Sequence, residues 1–157
     1  MGLLDSLRNR RAVKDLELKR WANHTTLLEI AAGLSTAVMM CHDDTWQFVE
    51  RQASSRDHWR SPEPVSVPGR KDPMVEVRLS GPQLAAVIEA LARLAGIPHT
   101  RGAYSLGTVE SRAIARRVYI EIREVLKQYD PDNPDAAIPA IVLDDQVGTA
   151  TGEPGAR

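Results

Sequence analysis

The sequence predicts a mainly α-helical fold, a compact bundle of four or five helices with a small β-hairpin insertion. Aromatic residues make up only 4% of the 157 residues, so small and branched aliphatic residues must fill the core. Segment 81–95 is apolar on nearly every side, which is typical of a helix covered by its neighbours. Helix-capping signals also precede several apolar stretches. An α+β fold is the alternative.

A single domain is expected, because 157 residues suffice for one core and are few for two. Within it, composition distinguishes four regions. Residues 1–53 are an N-terminal helical segment, and residues 54–73 are a Pro-rich loop. Residues 74–130 are a strand with a two-helix core, and residues 131–157 are an acidic tail rich in Pro, Gly and Ala, which predicts disorder.

The N-terminal segment predicts two helices. Residues 3–22 are locally basic and carry an interrupted apolar side. Residues 25–40 follow, with Thr26 and Glu29 spaced as a capping box. One continuous helix over residues 3–40 is the alternative.

The stretch MMCHDDTW, residues 39–46, combines the only cysteine with a histidine and two aspartates. Adjacent residues on a helix do not converge on one point, which argues against a metal site at Cys41 and His42. Catalytic pairs generally meet through the fold, which argues against a nucleophile there. We therefore interpret the stretch as a joint: Met39–Cys41 end one helix, Asp44 caps the next through Gln47, and Trp46 returns to the core.

The middle of the chain predicts a hairpin. Val75, Val77 and Leu79 alternate with polar residues, as in a half-buried strand, and a short strand at 65–67 can pair with it around PGRKDP. The next helix covers 81–95. Ser80 and Gln83 form its capping box, and Gly96 ends it.

The last helix, 108–129, is capped by Thr108 and carries three faces when projected at about 100° per residue. The predicted core face contains Ile114, Val118, Ile122, Val125, Leu126 and Tyr129. A solvated flank contains Glu110, Arg117, Glu121 and Glu124. The third face, here called the basic stripe, gathers cations that no acid interrupts, with Tyr119 at its edge: Arg112, Arg116, Arg123 and Lys127.

Three interpretations of the basic stripe stay open. It is a solvent-facing surface, a binding site for the phosphates of DNA or RNA, or a contact for the acidic tail. In the last case, deletion of residues 131–157 should raise the affinity for nucleic acid. Within the tail, AIPAIVL is apolar enough to dock on another surface.

These features favour a small non-enzymatic interaction or assembly protein that binds a protein partner or forms a homo-oligomer through helical surfaces. The alternative is a nucleic-acid-binding accessory protein that uses the basic stripe. The net charge of −1 predicts no global attraction to polyanions or membranes. One cysteine, no secretory signal and no apolar stretch of membrane-spanning length indicate a cytoplasmic protein. No cofactor, metal or catalytic residue is expected. The opening MGLLDSLRNRR resembles small proteins of high-GC bacteria and their phages.

Overall fold

The computed structural model describes residues 24–97, 107–133 and 137–143, which form an α+β fold of four helices and a four-stranded mixed sheet. The prediction of a mainly α-helical bundle is therefore wrong. The elements in chain order are α1 (helical residues 24–33), β1 (Ala37–His42), α2 (Asp43–Ala53), β2 (Val65–Ser66), β3 (Met74–Leu79), α3 (Gly81–Ala95), α4 (Val109–Leu126) and β4 (Ile141–Leu143).

The sheet has the strand order β2-β3-β1-β4, with β1 in the interior. β1 pairs antiparallel with β3, where Ala37 is opposite Leu79 and Cys41 is opposite Val75. β4 pairs parallel with β1 on its other side. β2 and β3 form the predicted hairpin, which is confirmed by their antiparallel pairing.

The strand β1 explains why the bundle prediction was wrong. A short continuous apolar run such as AVMMC is compatible with a helix or with a buried strand, and its periodicity does not distinguish them. In the structure α1 ends at residue 33. The helix predicted over 25–40 is therefore too long, because its last residues belong to β1. The joint within MMCHDDTW is therefore between a strand and a helix, and Trp46 is buried as predicted.

The capping of α2 also differs from the prediction. Its N-cap residue is His42, and no side chain caps the helix there. Gln47 Nε2 donates instead to Asp43 Oδ2 at 2.7 Å, so the predicted pair of Asp44 and Gln47 does not form.

Both predicted ends of α3 and the predicted N-terminal cap of α4 are confirmed, whereas α4 ends at Leu126 and not at residue 129. Ser80 and Gln83 form a complete capping box, and Gly96 ends α3 in the left-handed conformation with φ 70°. Thr108 Oγ1 accepts a hydrogen bond from the Ser111 backbone N–H at 3.1 Å. These motifs depend on residues within one helical turn, which is why the sequence identifies them.

The core lies between the sheet and the helices. From the sheet it receives the side chains on one face, all of them buried: Ala37, Met39, Cys41, Val75, Val77, Leu79, Ile141 and Leu143. The helices α3 and α4 pack on each other, α4 also packs on β4, and α2 packs on α3. Leu27 and Ala31 of α1 belong to the same cluster.

Residues 141–143 lie within the predicted tail, yet they form β4, so AIPAIVL does dock, on the edge of the sheet. The helix predicted over residues 3–22 and the remainder of the tail from residue 144 lie outside the described residues. Among the described helices, none is both long and apolar enough to span a bilayer.

Candidate functional site

The helix α4 is rotated relative to the orientation that its sequence predicts. Its buried residues are Ala115, Val118, Tyr119, Ile122 and Leu126. On the helical projection these occupy roughly 240° to 340°, whereas the predicted core face occupies roughly 200° to 320°. Ile114, predicted to be in the core, is 43% exposed. The rotation moves the core towards the basic stripe.

Tyr119, the predicted edge of the stripe, lies in the core. Its hydroxyl is 2.7 Å from His24 Nδ1 on α1, and the two rings stack with centroids 5.8 Å apart. Burial raises the pKa of Tyr119 to about 12, against the opposing effect of the Arg123 charge. The phenol therefore stays neutral and joins α1 to α4, and no surface anion can reach it.

The cations of the basic stripe are not equivalent. Arg112, Arg116 and Lys127 are exposed, whereas Arg123 is half-buried. The Arg123 Nε atom is buried and has no hydrogen-bond partner within the described residues. Arg112 Nη2 lies 3.5 Å from where a Cβ at Gly96 would be, close to the C-terminal end of α3 and its negative dipole.

An acid also enters the stripe, which the helical projection did not show. Lys127 Nζ donates to Glu124 Oε1 at 2.9 Å, and Arg123 Nη2 donates to the same oxygen at 3.3 Å. The hydrogen bond from Lys127 is the main cause that lowers the pKa of Glu124. With one carboxylate among its cations, the stripe has a smaller net positive charge than the sequence predicted.

The second face of the sheet is a surface that the sequence analysis missed. It carries the alternate residues of each strand, and pairing places Val65, Glu76, Met40 and Val142 in one row across all four strands. Val65 is 64% exposed and Val142 is 47% exposed, while Met40 is half-buried. The row is therefore mainly apolar and open to solvent at both edges of the sheet.

Charged and polar side chains flank this row. Val38 is paired with Arg78, and the Arg78 guanidinium lies 3.4 Å from Glu76 Oε1. His42 is paired with Met74, which is buried. We call the whole surface the open sheet face: Val38, Met40, His42, Val65, Met74, Glu76, Arg78 and Val142. The alternation of apolar and polar residues in β3 is the signal of this face in the sequence.

A groove lies on the other side of the molecule, where α2, α4 and β4 meet. It has a volume of about 250 Å³. Its walls are mainly apolar, and polar groups from α2 and α4 stand among them; the lining residues are Asp44, Thr45, Phe48, Ile114, Arg117, Val118 and Leu143. We call it the α2–α4 groove. Ile114, which is 43% exposed, is one of the residues that line this opening.

In the stretch MMCHDDTW, the strand β1 places the side chains of Cys41 and His42 on opposite faces of the sheet. Cys41 forms no disulfide with the described part of the chain, and its side chain is fully buried on the helix side of β1. His42 is the next residue, so its side chain projects from the opposite face. Within residues 24–97, 107–133 and 137–143, no group of three His, Cys, Asp or Glu side chains is arranged to hold a metal ion.

Comparisons with known proteins do not indicate a function, so the function has to be inferred from the geometry of these surfaces. No protein-family model, no curated protein and no solved structure matches the chain.

Proposed function

We propose that this chain is a small non-enzymatic assembly protein of the cytoplasm that self-associates through the open sheet face. The observation that carries the proposal is the row of Val65, Met40 and Val142 on the side of the sheet away from the helices. Apolar area exposed in this way is stabilised when another surface excludes water from it.

A second copy of the chain is the occupant that fits the charges. Glu76 and Arg78 are neighbours on this face and form an ion pair, so the face presents a carboxylate beside a guanidinium. When two such faces pack about a two-fold axis, Glu76 of one copy can meet Arg78 of the other. A partner with only one sign of charge leaves one of the two groups unpaired, at a cost in desolvation.

The size of the face predicts a weak dimer. With about 4.8 Å between strands and about 3.3 Å per residue, the open sheet face is at most roughly 20 Å by 20 Å. This is about half of the roughly 800 Å² per partner in a typical stable interface. We therefore expect a concentration-dependent equilibrium between monomer and dimer.

Sedimentation velocity across a concentration series tests the proposal. Val65→Glu and Val142→Glu introduce charges at exposed positions of the face and should weaken the dimer at least tenfold. Val109→Glu is the matched control, since Val109 is 83% exposed at the start of α4 and lies off the sheet. A monomer at every concentration, or equal dissociation constants for the three variants, would contradict the proposal.

Charge reversal tests whether the molecule that packs on the open sheet face is a second copy of the chain. Glu76→Arg alone and Arg78→Glu alone should each weaken self-association, because each places like charges opposite one another. A mixture of the two variants restores opposite charges and should form a heterodimer at least as tight as the wild-type dimer. A mixture no tighter than either single variant would exclude the two-fold arrangement. Circular dichroism checks that every variant is folded.

The second candidate is nucleic-acid binding through the basic stripe, supported by the exposure of Arg112, Arg116 and Lys127. About three effective phosphate contacts would give a salt slope near −2.7. Oligonucleotide binding across a salt series should decrease when the stripe is removed by Arg112→Ala, Arg116→Ala, Arg123→Ala and Lys127→Ala together. The control removes exposed cations elsewhere: Arg51, Arg60, Arg70 and Lys71. Equal loss in both variants would indicate only a general effect of charge.

A further inference from the structure

We infer that the outer edge of β4 is a second self-association surface, where β4 of one copy pairs antiparallel with β4 of another copy. A two-fold axis normal to the sheet at Val142 relates the copies and joins their four-stranded sheets into one. The two open sheet faces then lie on the same side of the joined sheet. Two such dimers can pack through these faces into a tetramer, and this last step rests on the proposed function.

The two edges of the sheet differ in how they are protected against pairing. The edge strand β2 has only two residues, and Pro64 and Pro68 lie close on either side of it. A proline has no backbone N–H to donate, and prolines at an edge hinder the addition of another strand. β4, residues 141–143, contains neither a proline nor a charge, and within the described residues no strand lies on its outer side. Its edge is therefore a template for pairing.

Exposed apolar side chains border this edge on both faces of the sheet. On the open sheet face, Val142 is 47% exposed. On the helix side, Leu143 lines the α2–α4 groove together with Ile114, which is 43% exposed. A second copy at this edge removes apolar area from water on both faces at once, which favours association.

The strand β4 is complementary to itself in the antiparallel orientation. With Val142 on the two-fold axis, it lies opposite Val142 of the second copy, and Ile141 lies opposite Leu143. Every cross-strand pair is then aliphatic, and no like charges face each other within 141–143. The same patch thus serves both copies, as a two-fold interface requires.

The joined sheet also doubles the area of the open sheet face. One face is at most roughly 20 Å by 20 Å, which is about half of the roughly 800 Å² per partner in a typical stable interface. Two faces side by side present about 800 Å² and reach this size. We therefore expect edge pairing and face packing to stabilise each other.

Disulfide trapping tests the edge contact. Directly opposite residues of an antiparallel pair have Cα atoms about 4.5–5.5 Å apart, within the range of about 4.4–6.8 Å that a disulfide allows. Under oxidation by diamide, Val142→Cys should form an intermolecular disulfide at least tenfold faster than Val65→Cys. Val65 is the matched control, because it is exposed at the other edge of the sheet. Equal rates for the two variants would overturn the inference.

A charge change on the open sheet face separates this inference from the proposed function. Glu76→Arg opposes face packing through like charges, but Glu76 lies in β3, two strands from β4. The Val142→Cys disulfide should therefore form at an unchanged rate in the Glu76→Arg background. A rate at least tenfold lower there would show that the disulfide reports face packing, which overturns edge pairing and leaves the proposed function in place.

Sedimentation velocity of the purified, disulfide-linked Val142→Cys dimer tests the tetramer. The linked dimer should associate with a dissociation constant at least tenfold below that of the wild-type monomer, because its open face is twice as large. The linked dimer that also carries Glu76→Arg should remain a dimer. If the linked dimer without Glu76→Arg also remained a dimer at every concentration, packing through the open sheet face would be wrong and the edge contact would stand. Circular dichroism checks that every variant is folded.

Discussion

At the residue scale, the contact between His24 and Tyr119 is the most informative in the molecule. It joins α1 to α4 through a buried hydrogen bond of 2.7 Å and a stacked pair of rings. A buried hydroxyl needs such a partner because the loss of its hydrogen bonds to water is costly. Tyr119 was predicted as a surface residue, and the structure gives it a role in holding the two helices together.

Removal of the Tyr119 hydroxyl should destabilise the fold. Tyr119→Phe leaves the ring and removes the bond to His24, so we expect the free energy of unfolding to fall by about 1 kcal/mol. Urea denaturation measures this difference. Tyr129→Phe, at a half-buried position after α4, is the control and should change the free energy less. An equal effect in both variants would show that the hydrogen bond contributes nothing specific.

Alkaline pH should lower the free energy of unfolding through the same residue, Tyr119. The pKa of Tyr119 is raised from 10.0 to about 12 in the folded chain, so the folded state retains its proton where the unfolded chain has lost it. The resulting stability is fully present below pH 10.0 and is lost as the pH rises towards about 12. Denaturation at several alkaline pH values should show a steeper loss of stability for wild type than for Tyr119→Phe. If wild type and Tyr119→Phe lost stability equally as the pH rises, the raised pKa of Tyr119 would not be the cause of the loss.

At the element scale, α3 begins in close contact with the end of α1 at Gly81. A Cβ at this position would lie within 3 Å of three backbone oxygens of the α1 end, those of Ala31, Ala32 and Leu34. Backbone carbonyls cannot move aside as a flexible side chain can. Gly81 is therefore required by the packing of α3 against α1, and not by its backbone conformation.

A methyl group at Gly81 should separate the helices. We expect Gly81→Ala to lower the free energy of unfolding by about 1–3 kcal/mol, since the added carbon must displace backbone. Gly33→Ala is a matched control, because a Cβ there meets nothing within 4 Å. Thermal denaturation of the two variants compares them directly. A Gly81→Ala protein as stable as Gly33→Ala would show that the contact is looser than described.

At the scale of the whole molecule, β4 completes the core from within the region predicted to be a tail. Ile141 is fully buried and Leu143 is 3% exposed. Deletion of residues 131–157 would remove both side chains along with the acidic residues. A change in nucleic-acid affinity after that deletion therefore could not be assigned to the acids, and truncation after Leu143 is the appropriate test.

Two truncations should separate β4 from the residues that follow it. A chain ending at Asn133 loses two buried aliphatic side chains, each worth about 1.5–3 kcal/mol, so we expect a loss of about 3–6 kcal/mol. A chain ending at Leu143 retains β4 and should lose much less. Chemical denaturation monitored by circular dichroism measures both. Equal stability of the two truncated chains would show that β4 does not support the core.

The sequence by itself determined the local features of this protein. The capping box at Ser80 and Gln83, the cap at Thr108, the glycine stop at Gly96 and the alternation that forms β3 were all predicted and are confirmed. Each of these depends on groups within a few residues of one another, so that a single stretch of sequence contains every participant.

Only the tertiary structure decided the rest. The stretch 37–42 becomes a strand because β3 and β4 provide hydrogen-bond partners on both sides, and those partners lie far away in the sequence. The rotation of α4, which buries Tyr119 and exposes Ile114, is determined by packing against α3 and β4. The open sheet face and the α2–α4 groove exist only where separate elements meet. Surfaces formed in this way have no local signature, because their residues become neighbours only in the folded chain.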